Sequence, residues 1–182
     1  MFARGSSRYS ILTIMKSSRT LRLTLPTALA ALVLAVAGAM STASATTYWT
    51  FMNDYEGNCL VSSTVSDKVW SDSCNDSLDT RNWYYGAESV TNVDGQVFRR
   101  LVSRANGDCL TTDNKTNANA VWMSPCGSAG GQFWSNDYHV LENFNGNLLR
   151  TSANGDAVYT TSQYVADPDI EPARYTWWGS HS

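Results

Sequence analysis

The sequence predicts an all-β domain built from three related copies, and two observations lead to this fold class. A pattern of about 40 residues occurs three times, and the segments after residue 45 are short, rich in β-branched and aromatic residues, and bounded by Asn-Gly or Asp-Gly pairs. Such pairs supply the positive φ angles that tight hairpins require. Three copies are too few for an extensible solenoid, so the repetition predicts a closed, pseudo-threefold barrel without exposed sheet edges.

Each copy opens on a glycine followed three residues later by a leucine, continues to a valine-aromatic pair and closes on a tryptophan. The opening glycines are Gly57, Gly107 and Gly146, the paired aromatic residues are Trp70, Trp122 and Tyr159, and the closing tryptophans are Trp83, Trp134 and Trp177. The copies cover about 46–96, 97–137 and 138–182. A large apolar ring that recurs once per copy belongs in a shared core, so the closing tryptophans are predicted to be structural.

Short strands are predicted within these copies, for example over 48–52, 97–102 and 138–141. Two insertions interrupt the repetition. Residues 87–96 lengthen the link between copies one and two, and residues 166–173 form an acidic loop that contains two prolines. Proline has no place in a central strand, so the second insertion is predicted to lie outside the sheet.

Residues 1–45 have the order of a secretory signal peptide. Basic residues precede an apolar run over about 23–40, and Ala43-Ser44-Ala45 supplies a small-residue cleavage site. The run is nearly long enough for a membrane anchor, but the cleavage site follows at once and no basic stop-transfer cluster does. We therefore expect a secreted domain over 46–182, cleaved after Ala45. Met15 begins a leader of more usual length, so residues 1–14 read as an over-long start.

The predicted mature domain is acidic. The leader carries five basic residues and no acidic ones, which leaves 8 Lys and Arg against 16 Asp and Glu, a formal net charge of −8. This balance disfavours nucleic acid and, once the leader is removed, an anionic membrane surface as partners. Neutral or cationic partners are favoured, although the charge also suits plain solubility.

All four cysteines lie in the predicted mature domain, two in each of the first two copies. The expected disulfides are Cys59–Cys74 and Cys109–Cys126, because each pair occupies the same two places in its copy. The third copy has Leu148 and Gln163 at those places, so both partners are absent together. Spacings of 15 and 17 residues with only two histidines in the chain argue against a zinc site, and no metal or cofactor is expected.

The segment Gln132-Phe133-Trp134 closes a Cys-Leu…Cys repeat in a triplicate of about 40 residues. In this combination the chain resembles the ricin-B-type β-trefoil lectin domains. The resemblance implies a six-stranded barrel capped by three hairpins over the whole mature chain. Only copy two keeps the glutamine of the Gln-x-Trp motif, since Arg81 and Tyr175 stand at the corresponding places.

Sugar-binding members of this family use an aspartate shortly after the first cysteine, an aromatic ring just before the second, and an Asn or Gln near the closing motif. In this chain the places to compare are two residues after the first cysteine and two residues before the second. No copy of this chain has either residue at those places: Val61, Thr111 and Arg150 occupy the first, and Asp72, Ser124 and Thr161 occupy the second. The aromatic residue stands two positions earlier in each copy, which keeps it on the same face of a strand.

The resemblance still yields candidate sugar contacts. In copy two they are Trp122, Asp113 and Gln132; in copy one Trp70 with the bracketing Asp67 and Asp72; in copy three Tyr159. A carboxylate accepts hydrogen bonds from vicinal hydroxyls, and a flat ring packs against the apolar face of a pyranose. The alternative is that these rings cover the barrel beneath each hairpin without contacting any ligand.

No catalytic pattern is present, so we predict that the protein is not an enzyme. The favoured function is a secreted, lectin-like module that binds a neutral glycan or polysaccharide without a cofactor. The alternative is a protein-interaction trefoil, an inhibitor or a toxin-complex subunit, whose sugar sites have decayed. The missing aspartates favour this alternative.

Overall fold

The computed structural model describes residues 45–153, 156–162 and 170–181. The described residues contain twelve strands, four single-turn 3₁₀ helices and no α-helix. The strands are β1 (Trp49–Asn53), β2 (Cys59–Ser62), β3 (Val69–Asp72), β4 (Trp83–Thr91), β5 (Val97–Ser103), β6 (Cys109–Thr112), β7 (Ala118–Ser124), β8 (Phe133–Ser135), β9 (Glu142–Asn143), β10 (Asn147–Thr151), β11 (Val158–Ser162) and β12 (Trp177–His181). The 3₁₀ helices are Asp79–Arg81, Gly130–Gln132, Asp137–His139 and Pro172–Tyr175.

Six of the strands form an antiparallel barrel. Strand β1 pairs with β12 and β4, β5 pairs with β4 and β8, and β8 pairs with β9. A bridge between Val140 and Thr176 joins the segments that lead into β9 and β12 and completes the ring. The remaining strands form three hairpins, β2–β3, β6–β7 and β10–β11. The prediction of a six-stranded barrel capped by three hairpins, the β-trefoil, is confirmed.

The closing tryptophans occupy equivalent places in the core. All three are fully buried, and each indole N–H donates to the carbonyl of the leucine near the start of its copy. The pairs are Trp83 with Leu60 at 3.1 Å, Trp134 with Leu110 at 2.8 Å and Trp177 with Leu149 at 3.0 Å. A buried indole needs such an acceptor, so each ring ties the barrel to its own hairpin. The three rings therefore lie in the core.

The opening glycines share a backbone conformation that explains why the pattern starts on glycine. Gly57, Gly107 and Gly146 have φ angles of +67°, +77° and +80°. Each amide donates to a carbonyl three or four residues earlier, at or next to the end of a barrel strand, over 2.8–2.9 Å. Residues with a Cβ are strained in this left-handed region, so glycine allows each barrel strand to turn into its hairpin.

The structure contains both expected disulfides. Cys59 bonds to Cys74 and Cys109 to Cys126, with Cα–Cα distances of 4.9 and 5.0 Å that lie in the normal range. The predicted pairing is therefore confirmed. Two such bonds fit an extracellular protein. The predicted signal peptide as far as residue 44 lies outside the described residues, as do Gln163 and the acidic loop as far as residue 169.

The structure corrects the predicted strand over 138–141. Residues Asp137–His139 form a 3₁₀ turn instead, and the strand begins only at Glu142. Tyr138 and His139 adopt φ angles of 55° and 62°, which a strand does not allow. The predicted strand rested on a short alternation of apolar and polar residues. In the structure this segment is a turn, and only Val140 makes an isolated β-bridge.

The first insertion extends a hairpin of the barrel. Strand β4 continues to Thr91 and pairs with β5 along its whole length, with an irregularity between Tyr85 and Ser89. Gly95 forms the turn with a φ of +86°. Among the described residues, no helix has the length and apolar character needed to cross a membrane.

Candidate functional site

The three hairpins are joined to one another in a cycle of backbone hydrogen bonds. An amide in one hairpin donates to a loop carbonyl of the next: Met123 to Asp67 at 2.7 Å, Ser71 to Asp156 at 2.9 Å, and Ser162 to Asn117 at 3.1 Å. Because each hairpin is hydrogen-bonded to its neighbour, the aromatic residue of each valine-aromatic pair lies where two copies meet, a boundary that we call a seam. Trp70 bridges to Ala157, and Tyr159 is paired with Ala120.

The seam between copies one and two opens into a cleft of about 310 Å³, which we name the cap cleft. Its lining residues are Asp67, Lys68, Val69, Trp70, Val121 and Trp122. The two valines pack against the core, and both tryptophans are half-buried. The rings are thus neither core residues nor free surface residues. The predicted sites each lay within one copy, whereas the structure brings two predicted rings from different copies together.

The charged groups of the cap cleft come from the tip of the first hairpin. Asp67 directly precedes Lys68, and both lie on the loop that accepts the hydrogen bond from copy two. One carboxylate and one ammonium group leave the cleft with no net charge. The sequence predicted Asp67 as a candidate contact because it lies close to Trp70. It did not predict Lys68, because the position of Lys68 in the same cleft as Trp122 depends on contact between two copies.

The Asp72 carboxylate contacts residues of its own copy. It accepts a hydrogen bond from the Ser73 amide at 2.7 Å and forms an ion pair with Arg81 at 3.0 Å. The Ser73 hydrogen bond, helped by the charge of Arg81 and by the side chain of Trp70, holds the pKa of Asp72 below its ordinary value. The carboxylate is half-exposed, but its partners orient it along the disulfide segment, and it does not line the cap cleft.

Asp113 does not join Trp122. Its carboxylate forms an ion pair with Lys115 at 2.8 Å, and its carbonyl accepts a hydrogen bond from the Asn147 side chain of copy three at 3.3 Å. The same carboxylate raises the pKa of Lys115 through a hydrogen bond. Asp113 therefore lies toward the seam with copy three, and the cap cleft takes its carboxylate from Asp67 instead.

Gln132 is a buried structural residue. Its amide nitrogen lies within 2.8–3.1 Å of the Thr111 and Ser124 hydroxyls and the Pro125 carbonyl, and its amide oxygen accepts the Gly127 N–H at 2.6 Å. These contacts use its hydrogen-bonding capacity inside the protein. Gln132 consequently positions the segment around the second cysteine of copy two and offers nothing to a ligand.

Tyr159 is the most exposed ring of the three, at 39%. The Arg150 guanidinium lies over it at 5.6 Å from the ring centroid and donates to the Thr161 hydroxyl at 2.7 Å. An arginine that covers the ring in this way competes with a sugar for the same face. Copy three therefore offers a poorer platform than the cap cleft.

The described residues contain no group of three or more His, Cys, Asp or Glu side chains arranged to hold a metal ion. The site that the structure does assemble consists of two indole rings, one carboxylate and one ammonium group. Such a set can stack on apolar faces and exchange hydrogen bonds with hydroxyls.

No protein-family model and no curated protein matches this sequence. By structure, however, the chain is similar to solved β-trefoil proteins, which agrees with the barrel and hairpins described above. A designed threefold-symmetric protein, ThreeFoil, matches with a TM-score of 0.54 at 17% identity, over 72% of this chain and 96% of that one.

Two further proteins with the same fold were solved with sugars. A non-toxic homologue of type II RIPs from Momordica charantia, in complex with α-methyl-D-galactoside, matches with a TM-score of 0.56 at 13% identity, over 74% of this chain and 48% of that one. A mutant of the earthworm lectin C-terminal domain, in complex with 6′-sialyllactose, matches with a TM-score of 0.51 at 11% identity, over 75% of this chain and 99% of that one. At these identities the similarity shows the fold alone.

Proposed function

We propose that this protein is a secreted carbohydrate-binding module without catalytic activity, and that the cap cleft is its main glycan site. The observation that carries the proposal is the pair of half-buried rings, Trp70 and Trp122, which flank one cleft between two copies. Each ring presents a flat face to the apolar side of a pyranose. The cleft, at about 310 Å³, has room for a small glycan segment.

The polar groups of the cleft suit a neutral sugar. The Asp67 carboxylate accepts hydrogen bonds from adjacent hydroxyls, and the Lys68 ammonium group donates them. Because the two charges cancel, neither an anionic nor a cationic ligand gains a strong advantage there. Both structural neighbours that were solved with saccharides support a carbohydrate ligand, and the uncharged α-methyl-D-galactoside of the first agrees with a neutral one.

A single open cleft of this kind binds weakly, so immobilised or repetitive glycans are the appropriate ligands. The test is binding of the oxidised protein, expressed from the full sequence, to a panel of neutral glycans and insoluble polysaccharides. Trp122→Ala and Trp70→Ala should each abolish detectable binding. Tyr159→Ala is the matched control, because it removes the corresponding ring of copy three and should retain binding.

Two outcomes contradict the proposal. Binding that survives Trp122→Ala but is lost in Tyr159→Ala would place the site in copy three. Absence of binding to every glycan, by a protein with both disulfides formed and cooperative unfolding, would reject the carbohydrate-binding function.

A second candidate function, contact with a protein partner, is favoured by one surface on the barrel wall. Met52 and Trp178 are directly paired between β1 and β12 and are 40% and 43% exposed. The Trp178 indole N–H donates to Asp54 at 2.9 Å, and its ring stacks on His139 at 4.0 Å, so the side chain is held in place. Ordered, exposed aromatic residues are typical of protein interfaces.

This candidate predicts a different dependence on mutation. A partner that docks there should be lost from the Met52→Ser/Trp178→Ser double variant and retained by Trp122→Ala. The converse result, with glycan binding lost only in Trp122→Ala, assigns function to the cap cleft.

A further inference from the structure

The end of the barrel away from the hairpins holds a second pocket, of about 400 Å³. We name it the barrel-mouth pocket. It is lined by Trp49, Tyr85, Val97, Arg99, Trp134, Ser135, Asn136 and Asp137. Strands β1 and β5 begin at this end and β8 ends there, whereas the hairpins follow the far ends of β1 and β5. The pocket shares no residue with the cap cleft.

Two polar atoms of the barrel-mouth pocket residues are buried and have no hydrogen-bond partner in the protein. They are the Tyr85 hydroxyl and the amide oxygen Oδ1 of Asn136. Leaving such a group unpaired costs about 1–3 kcal/mol. Native proteins rarely keep uncompensated groups of this kind, so each calls for a partner such as a bound water, an ion or a ligand.

The aromatic residues of the pocket are held firmly. The Trp49 ring meets the Tyr85 ring edge-on at 6.4 Å, and Tyr85 in turn meets the fully buried Phe51 at 6.4 Å. Trp49 is half-buried and packs against the hydrophobic core, so it offers a fixed apolar wall. A fixed ring loses little entropy when a ligand stacks on it.

The surroundings of Tyr85 keep its hydroxyl protonated. Burial raises the pKa of the phenol, and the charge of Asp137 raises it further. The hydroxyl is therefore a hydrogen-bond donor throughout the physiological pH range. Arg99 at the rim balances the Asp137 charge, so the pocket has no net charge from its lining residues.

We propose that the barrel-mouth pocket binds one pyranose residue of a neutral saccharide. The Trp49 ring packs against the apolar face of the sugar. Asn136 Oδ1 and the Asp137 carboxylate accept hydrogen bonds from sugar hydroxyls, and Tyr85 donates one to a further oxygen. Because the two buried atoms have almost no accessible surface in this structure, the Asn136 and Tyr85 side chains rotate into the pocket to reach the sugar. This arrangement satisfies both buried groups and combines a stacking wall with hydrogen-bonding groups that sugar recognition requires. It is independent of the glycan site proposed for the cap cleft.

The test uses soluble methyl glycosides of glucose, galactose, mannose and N-acetylglucosamine as probes. Each is titrated at millimolar concentrations into the oxidised protein while the indole N–H signal of Trp49 is followed by NMR. We expect at least one probe to shift this signal in a saturable way. The Tyr85→Phe variant removes only the hydroxyl and should weaken binding about three- to tenfold, since one hydrogen bond is lost.

Two controls separate binding from a structural effect. Tyr84→Phe removes the hydroxyl of the adjacent residue, which does not line the pocket, and should bind as the wild type does. Tyr85→Phe should unfold at the same or higher denaturant concentration than the wild type, because its hydroxyl is unpaired in the protein. Trp122→Ala should leave the Trp49 response unchanged, which distinguishes this site from the cap cleft.

Two results would overturn the proposal. One is a Trp49 signal that no probe shifts in a protein with both disulfides intact. The other is a Tyr85→Phe variant that binds the probe with wild-type affinity, which would show that the buried hydroxyl does not face the ligand.

Discussion

Copies one and two each close their hairpin segment with a disulfide, whereas arginines tie together the described part of copy three. Arg174 is buried and forms an ion pair with Glu56 of copy one, and it also contacts the Ser152 carbonyl and lies 3.9 Å over the Tyr55 ring. Arg150 bonds Thr161 across the third hairpin. The same backbone outline is thus stabilised by covalent bonds in two copies and by charge-assisted hydrogen bonds in the third.

The first two copies also differ from each other at the motif that marks the repeat. Gln132 donates to Ser124 and to the Pro125 carbonyl, and Arg81 donates to the corresponding Asp72 and Ser73 carbonyl. A sequence pattern that requires glutamine does not detect the first copy. There Arg81 nevertheless holds the same segment, the two residues before the second cysteine. The physical requirement is a donor that reaches the two residues before the second cysteine, and two residue types meet it.

Arg174→Met is expected to have the largest effect. It leaves Glu56 without its ion-pair partner and removes the Arg174 contact with the Ser152 carbonyl, so the free energy of unfolding should fall by about 3–5 kcal/mol. Urea unfolding measures this change. Lys115→Met, which removes an exposed cation, should leave the free energy of unfolding close to that of the wild type. If both variants behave alike, the arginines do not replace the disulfide in copy three.

Removal of one disulfide should have the next largest effect. The double variant Cys109→Ser/Cys126→Ser should lose about 3 kcal/mol, and the Cys59→Ser/Cys74→Ser variant a similar amount, because each bond closes a loop of 15 to 17 residues. Thermal unfolding with and without reductant measures the loss. A transition that reductant does not shift would mean that copies one and two are held by packing alone.

A matched pair of substitutions, each with a smaller expected effect, compares Gln132 with Arg81, the residue at the same place in copy one. Gln132→Ala should cost about 1–3 kcal/mol, because it leaves buried groups unpaired. Arg81→Ala should cost less than about 1 kcal/mol, because its partner Asp72 is half-exposed to water. Unfolding experiments under identical conditions compare them, and a larger loss for Arg81→Ala would reverse the assigned importance of the two residues.

The smallest effect concerns the titration of Asp72. Its pKa lies below the ordinary value of 3.8 in the folded protein, so it stabilises the fold above that pH, and the stabilisation is lost as the pH falls through the lowered pKa. Arg81→Gln should raise the pKa of Asp72 without restoring the ordinary value, since the Ser73 hydrogen bond remains. NMR titration of the carboxyl group measures this, and an unchanged pKa would show that Arg81 has no electrostatic influence.

Much of the fold could be predicted because it depends on residues that recur. The closing tryptophans, the opening glycines and the paired cysteines each perform one physical task in each copy where they occur. The turn at Tyr138 and His139 could not be predicted, because its left-handed backbone carries no glycine. The 3₁₀ turn at Gly131 could not be predicted either. Only the structure shows why a glycine is needed there: a Cβ would lie 1.9 Å from the Thr112 carbonyl oxygen.

The candidate site was harder to predict than the fold. Trp70 and Trp122 were recognisable as candidates, but the meeting of the two rings in one cleft follows from the hydrogen bonds between hairpins. Lys68 and the barrel-mouth residues Tyr85 and Asn136 belong to no repeated pattern. Their roles depend on distances between separate copies or strands, which spacing along the chain does not determine.

The most direct measurement is an NMR titration of all seven tryptophan indole signals with a glycan that the protein binds. The three core indoles donate to buried leucine carbonyls, and they should not move. We predict that binding at the cap cleft shifts the signals of Trp70 and Trp122 together, with one dissociation constant. A titration that leaves both signals in place while Trp178 responds would contradict the account and assign binding to the barrel wall.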